Sequence, residues 1–163
     1  MVKLQTWLKK NEACSEGVQW AKSAQDMQGA WETCQRPDWM LWGLGKIGYS
    51  DDRVMRLYAC ACVRGTPTAK GTVWDLLTDK RSKKAIEVAE LFAEGKATAQ
   101  ARAAACAAAG DAAWAAAGAA ARAAAWDAAR DAAWAWQANK LREMVPWEEV
   151  EKAIKSREKK SVV

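Results

Sequence analysis

An alanine-rich run from Ala97 to Asn139 constrains the fold of this chain more than any other feature of its sequence. Alanine is the best helix former, so the run is expected to be helical even before packing is considered. From Arg102 onward a residue other than alanine stands at every fourth position, a step slightly longer than one helical turn. One helix of this length would extend about 65 Å. It therefore either protrudes from the domain or folds into a helical hairpin at Gly110 or Gly118.

The two sides of this helix differ in chemistry. At about 100° per residue, one half of the helix carries Trp114, Gly118, Arg122, Trp126, Arg130 and Trp136, whereas Asp127 and Asp131 face away from it. We call this half the Trp–Arg face, and the ligand-binding residues predicted on it are Trp114, Arg122, Trp126 and Arg130.

The Trp–Arg face has two interpretations. Each tryptophan taken alone is best explained as core packing, because alanine lets helices approach closely and an indole ring fills the remaining space. The interleaved arginines favour a ligand site instead, since arginine is rarely buried without a partner. Indole rings stack on planar bases and guanidinium groups bind phosphates, so the face suits a planar anionic ligand. In this interpretation Trp39, Trp42 and Arg56 form an opposing wall.

Capping residues divide the rest of the chain into short amphipathic helices. Asp26, Asp51 and Ser82 are predicted N-caps, and Pro37 fits the first turn of a helix that glycines end. Pro146 begins a final amphipathic helix. No segment shows the alternation of apolar and polar residues that is typical of a β-strand. The sequence therefore predicts an all-α fold, a multi-helix bundle that carries one long alanine-rich and tryptophan-rich helix or helical hairpin.

The length of the chain predicts its domain organisation. A chain of 163 residues suits a single domain over residues 1–163. Within it we expect an N-terminal segment over residues 1–11, the alanine-rich helix over residues 97–141 and a basic tail over residues 156–163 that frays. The sequence shows no signal-like or membrane-spanning segment, which predicts a cytoplasmic protein with reduced thiols and no membrane partner.

The composition argues against an enzyme. The chain has no histidine, which is the usual general base near neutral pH and the commonest metal ligand. Ser–His and Cys–His nucleophile pairs are therefore excluded, together with most catalytic zinc sites. Cys60 and Cys62 are two residues apart and point in different directions on a helix, so they cannot share one ion. We expect no catalytic residue, no metal site and no cofactor.

Six short segments follow one another in a distinctive order between Glu12 and Trp147. The Asp38–Trp42 and Ala59–Cys62 motifs are the most specific parts of this series. The series resembles the Imm-5-like immunity protein family, small all-helical proteins found beside bacterial polymorphic toxins and also carried by phages. The resemblance implies a binding protein of a bacterial host cell that neutralises another molecule. The segments are Ala13–Ala21, Ala30–Cys34, Arg36–Trp42, Arg56–Arg64, Ala85–Glu90 and Gly95–Thr98.

Together, the Trp–Arg face and the resemblance predict a non-enzymatic protein that acts by sequestration in a conflict between phage and host. The preferred cargo is a small anionic nucleotide-type immune signal, such as a cyclic nucleotide or an ADP-ribose derivative. The alternative is an immunity protein that binds and inhibits a cognate protein toxin. Nucleic-acid binding through the basic tail is a weaker hypothesis. A homo-oligomer is plausible because long alanine-rich helices pack tightly against copies of themselves.

Overall fold

The computed structural model describes residues 3–104 and 127–160. In these ranges the chain forms ten helices and one two-stranded hairpin, which confirms the all-α prediction. The helices are α1 (Leu4–Lys10), α2 (Ser15–Trp20), α3 (Met27–Thr33), α4 (Pro37–Ile47), α5 (Asp52–Gly65), α6 (Val73–Leu76), α7 (Lys80–Ala93), α8 (residues 99–104 of the described range), α9 (Asp127–Met144) and α10 (Trp147–Lys160). The strands β1 (Pro67–Thr68) and β2 (Gly71–Thr72) pair antiparallel, with Pro67 opposite Thr72.

The chain divides into two compact units. The first unit comprises Met1–Ser50 and Leu141–Val163, and the second comprises Asp51–Lys140. The sequence analysis expected a single domain and did not foresee this division. Because α9 contains both Lys140 and Leu141, the chain leaves the second unit within one continuous helix.

The first unit is built on the buried faces of α1, α2 and α10. Leu4 and Leu8 stand one helical turn apart on α1, and both pack on Ala21, which is 1% exposed. Val150 and Ile154 have the same spacing on α10 and are also buried, and α10 packs against α3 and α4. The predicted N-terminal segment over residues 1–11 therefore contributes a helix to the core, because its two leucines share one face.

Arg142 ties the end of α9 to the end of α3 within the first unit. Its Nη1 donates hydrogen bonds to the backbone oxygens of Trp31, at 3.0 Å, and Cys34, at 2.7 Å. Both carbonyls lie at the C-terminus of α3, where backbone oxygens lack partners within the helix and a cation is favourable. Burial lowers the pKa of Arg142. The ordinary pKa of arginine is so high that the guanidinium nevertheless stays charged at neutral pH.

The second unit is held by polar contacts that join α5 to α9. The Tyr58 hydroxyl donates to the backbone oxygen of Gln137 at 3.3 Å, and Gln137 Nε2 donates to Thr66 Oγ1 at 3.0 Å. Trp136 lies directly against Gly65 at the end of α5. Alongside these contacts α5 packs on α7, where Arg64 makes a bidentate ion pair with Glu90.

Several predicted helix boundaries are confirmed. The Asp26 side chain accepts a hydrogen bond from the Gly29 amide at 2.8 Å and caps α3. The Asp51 side chain accepts one from the Val54 amide at 2.9 Å and caps α5. Pro37 is the first residue of α4, where its missing amide hydrogen costs no hydrogen bond.

Other boundary predictions were wrong. Asp79, rather than Ser82, caps α7, because its carboxylate accepts from the Arg81 amide at 2.7 Å while Ser82 is buried in the first turn. Of the predicted glycine terminators, Gly48 alone ends α4, with a left-handed φ of 76°, and the helix continues through the two earlier glycines. The final helix continues to Lys160, and the fraying predicted for residues 156–163 stays a prediction.

The hairpin of β1 and β2 was missed at the sequence level. Strands of two residues are too short to show an alternating pattern. The segment is stabilised locally, since Thr72 and Asp75 form a reciprocal capping box at the start of α6. Between the hairpin and α7, the short helix α6 contains Trp74.

We expect the contact between Gly65 and Trp136 to be essential for the second unit. A Cβ atom at Gly65 would overlap the indole ring of Trp136, so Gly65→Ala should lower the free energy of unfolding by about 1–3 kcal/mol. Gly45→Ala is the matched control, because a Cβ there meets open space on α4 and should stabilise the helix by about 0.5–1 kcal/mol. Urea unfolding of both variants checks the prediction, and equal midpoints would contradict it.

Candidate functional site

A cavity of about 540 Å³ opens in the first unit. Its most distinctive feature is the number of indole rings in its wall, because six of the eleven tryptophans of the chain line it. We call it the tryptophan cavity, and its tryptophans are Trp7, Trp20, Trp31, Trp39, Trp42 and Trp147.

The fold brings these rings together from five helices. Trp39 and Trp42 stand three residues apart on α4, so they project from neighbouring positions of one helix. The ring of Trp42 meets the ring of Trp7 edge to face, with centroids 5.7 Å apart and an angle of 76° between the planes. Trp20 and Trp39 form a second pair at 5.8 Å. Both are favourable arrangements for aromatic pairs, and they fix the rings in the wall.

The inner end of the tryptophan cavity is apolar and buried. Met40, Leu44 and Ile47 project from one face of α4 into its lining, and each is 5% exposed or less. Trp31 is 8% exposed, and its Nε1 has no hydrogen-bond partner within the described part of the chain. A buried indole nitrogen usually has an acceptor, so this donor is an exception, and its burial keeps it out of reach of a molecule in the cavity.

Charged groups at the tryptophan cavity lie on its exposed side. Three carboxylates, those of Glu12, Glu16 and Asp38, line it together with the guanidinium of Arg36. Arg36 Nε and Nη2 donate to the two Asp38 carboxylate oxygens at 2.9 and 2.7 Å, and Glu16 lies 3.9 Å from Nη1. The guanidinium also covers the ring of Trp39 at 4.3 Å. The charged lining is therefore acidic overall, and its one cation, Arg36, is already bound to Asp38.

The pair of Arg36 and Asp38 persists through the neutral range. Hydrogen bonds from Arg36 hold the pKa of the Asp38 carboxyl below its usual value, and the same bonds raise the pKa of Arg36. Since the pKa of Asp38 is lowered by folding, the pair contributes its stability above the ordinary carboxyl pKa. That contribution is lost only as the pH falls through the folded-state value.

Of the residues that the sequence predicted as ligand-binding, the structure describes Trp39, Trp42, Arg56 and Arg130, and only the first two line the tryptophan cavity. Trp39 and Trp42 line the tryptophan cavity together. Arg56 belongs to the second unit, where its guanidinium lies 4.9 Å from the centroid of the Phe92 ring. It is absent from the lining of the cavity, so the predicted opposing wall of these three residues is not formed there.

Of the ligand-binding residues predicted on the Trp–Arg face, Arg130 alone lies in the described part of the chain. It is exposed, covers the ring of Trp134 at 4.9 Å and lies 3.9 Å from Asp131. Trp114, Arg122 and Trp126 lie outside the described residues, as does the choice between one long helix and a hairpin. Trp136, on the same side of the run, packs against Gly65 as a structural residue.

Four of the tryptophans that line the cavity were not predicted as candidate ligand-binding residues. Trp7 and Trp147 lie on the first and last helices, and Trp20 and Trp31 lie on α2 and α3. Helical periodicity places a residue on one side of its own helix and gives no information on which other helix it faces. The signal that could have found them is the count of tryptophans, since six of the eleven lie outside residues 51–140.

The thiols near these sites are structural. Cys34 lines the tryptophan cavity and is buried, which raises the pKa of its thiol. Burial likewise raises the pKa of Cys60 and Cys62 on α5, and the Cys60 Sγ faces the backbone oxygen of Ile86 at 3.9 Å. A thiol with a raised pKa is a poor nucleophile at neutral pH. Over residues 3–104 and 127–160, no group of three or more metal-ligating side chains is assembled.

Comparison with known proteins gives no family assignment: no protein-family model, curated protein or solved structure matches this chain. The resemblance to the Imm-5-like family therefore stays a prediction. Among the described helices, none is long and apolar enough to cross a membrane.

Proposed function

We propose that this protein is a binding protein that sequesters a small planar molecule in the tryptophan cavity without transforming it. One observation carries the proposal, the gathering of six indole rings around a single cavity of about 540 Å³. Volumes of about 300–1,000 Å³ are typical of small-molecule sites.

The lining of the cavity defines the shape of the ligand. Trp20, Trp39 and Trp42 are half-buried. Arg36 covers one face of Trp39 and Lys46 lies over Trp42, so a flat molecule can stack only on the ring surface that these cations leave open. Stacking on an indole ring contributes about 1–3 kcal/mol per aromatic base in comparable sites.

The charges of the lining define the sign of the ligand. Glu12, Glu16 and Asp38 outnumber Arg36, and the bidentate bond to Asp38 occupies that arginine. Tryptophan faces attract cations, by about 0.5–2 kcal/mol according to their solvation. Both effects favour an uncharged or positively charged planar ligand over an anion.

The anionic nucleotide signal that the sequence predicted is supported in part by this lining. A nucleotide base suits the tryptophan walls, whereas its phosphates would approach three carboxylates. A nucleotide cargo therefore stays a prediction that depends on the Trp–Arg face. Its part in a conflict between phage and host depends on the resemblance to the immunity family.

Two features of the chain support the proposal of sequestration over turnover. The sequence contains no histidine, and the pair of Arg36 and Asp38 holds its carboxylate ionised. A carboxylate with a lowered pKa is a weak base, because the ideal catalytic pKa lies near the working pH. Recovery of chemically intact ligand from the denatured complex is the expected outcome.

A titration with three molecules of matched shape tests the proposal. Quinoline, the N-methylquinolinium cation and the quinoline-2-carboxylate anion differ chiefly in charge, and calorimetry measures their affinities. We expect the cation to bind tightest and the anion weakest, by about 10-fold between them, as cation–π attraction of 1–2 kcal/mol implies. Cyclic dinucleotides and ADP-ribose belong in the same panel, since tight binding of these would support the nucleotide prediction.

Matched variants place the binding site. Trp39→Leu removes a ring from the tryptophan cavity, whereas Trp74→Leu removes one from α6 in the second unit, where Arg64 covers it at 4.0 Å. We expect the first variant to weaken binding by about 10-fold, since stacking is worth about 1–3 kcal/mol, and the second to leave it unchanged. Equal effects of the two variants, or no saturable binding by any member of the panel, would refute the proposal.

Asp38→Asn tests the electrostatic part of the proposal. The change removes one carboxylate and releases the Arg36 guanidinium, so the anion should bind several-fold more tightly and the cation more weakly. Asp79→Asn is the control, because Asp79 bonds Arg81 with the same two-residue spacing in the second unit and asparagine also caps helices well. Calorimetry with the same three probes measures both variants. An unchanged order of affinities in Asp38→Asn would show that charge does not select the ligand.

Inhibition of a protein toxin, the alternative, stays a prediction. A stable interface needs about 800 Å² on each partner. In the described ranges Leu91 is the one large apolar residue that is exposed, at 39%. Recovery of one stoichiometric partner from a host lysate would favour this alternative.

A further inference from the structure

Three arginines of the second unit surround the end of α7. The guanidinium carbons of Arg56 and Arg102 lie 4.9 and 5.2 Å from the centroid of the Phe92 ring. Arg53 stands three residues before Arg56 on α5, and its Nε donates to the backbone oxygen of Ala93 at 2.8 Å. We call Arg53, Arg56 and Arg102 the arginine cluster.

Within residues 3–104 and 127–160, no carboxylate forms an ion pair with the arginine cluster. None of its members takes part in an ion pair with another described residue. The charge of Arg53 lowers the pKa of Glu94, but the Glu94 carboxylate forms its ion pair with Lys96, at 2.8 Å. The pKa of Glu94 is lowered first by that lysine and only to a smaller degree by Arg53. Glu90 is likewise bound, in its bidentate pair with Arg64.

Arg102 adds the second observation. Its Nε is buried and has no hydrogen-bond acceptor among residues 3–104 and 127–160. A buried donor without an acceptor is costly, and more so on a charged group. Arg56 and Arg102 are two like charges over one ring, and they repel one another. An anion bound to their guanidinium groups would relieve this repulsion and offset the cost of the buried charge on Arg102.

We propose that the arginine cluster binds the phosphate groups of a small phosphorylated molecule. Arginine is suited to this role because its guanidinium forms paired hydrogen bonds with phosphate oxygens. Arg56 and Arg102 both lie over the Phe92 ring, which places two guanidinium groups beside one side chain. The same two guanidinium groups cover Phe92, so the recognised part of the ligand is the phosphate chain and not an aromatic base.

This site is separate from the tryptophan cavity in residues and in chemistry. All members of the arginine cluster belong to the second unit, whereas every residue that lines the cavity belongs to the first. The inference goes beyond the proposed function and does not depend on it. It also gives Arg56, which the sequence predicted as a ligand-binding residue, a role with partners other than Trp39 and Trp42.

Calorimetric titration with inorganic pyrophosphate tests the inference. Arg56→Gln and Arg102→Gln each remove one guanidinium, and each should weaken binding by about 10-fold or more, as hydrogen bonds to charged groups imply. Arg81→Gln is the matched control, since Arg81 carries the same charge in the second unit but is paired with Asp79 at 2.7 Å. Arg56→Lys keeps the charge without the fork and should retain part of the affinity.

Further ligands identify what is recognised. Equal affinity for ADP and pyrophosphate supports recognition of the phosphate chain, and weaker binding of sulfate shows that charge alone is not sufficient. Circular dichroism in the tryptophan region verifies that each variant is folded. No saturable binding of pyrophosphate to the unaltered protein would overturn the inference. So would an Arg81→Gln variant that loses as much affinity as the other two.

Discussion

Packing of indole rings in the first unit is the constraint on which the rest of this structure depends. Tryptophan is the largest side chain, and its flat, stiff ring cannot be folded to fill an irregular space. Six such rings converge from α1, α2, α3, α4 and α10, and their edge-on contacts leave a hollow between them. The helices that carry them are short and individually marginal, so their positions depend on shared burial and on the bonds that Arg142 makes to the end of α3.

The sequence predicted the local structure well wherever a short-range interaction decides it. Asp26, Asp51 and Pro37 mark helix starts because a capping bond or a missing amide hydrogen acts within one turn. Ser82 was predicted wrongly as an N-cap, because Asp79 directly precedes the same helix and its carboxylate is a stronger hydrogen-bond acceptor than a hydroxyl. The two-residue strands are defined by pairing with each other, and no pattern within either strand reveals that.

The site could be predicted only in part, for a related reason. Trp39 and Trp42 were identified correctly as neighbours because their three-residue spacing is a property of one helix. Tertiary packing brings Trp7, Trp20 and Trp147 to the same cavity. The spacing of apolar residues along one helix carries no information about such contacts between helices. The acidic charge of the cavity lining could not be predicted from the sequence either, because it depends on the bidentate hydrogen bond from Arg36 to Asp38.

The two units distribute charge in opposite ways. Acidic groups outnumber the one arginine at the tryptophan cavity, whereas the arginine cluster of the second unit lacks a carboxylate partner among the described residues. We propose above all that a planar ligand binds in the tryptophan cavity. Nuclear magnetic resonance tests this most directly, through the indole N–H signals of the eleven tryptophans. Assigned through single tryptophan replacements, the signals are followed while the tightest planar ligand is added. The account predicts that the six signals of the tryptophan cavity shift and the other five do not. Shifts confined to Trp114, Trp126 or the remaining tryptophans outside the cavity would contradict it.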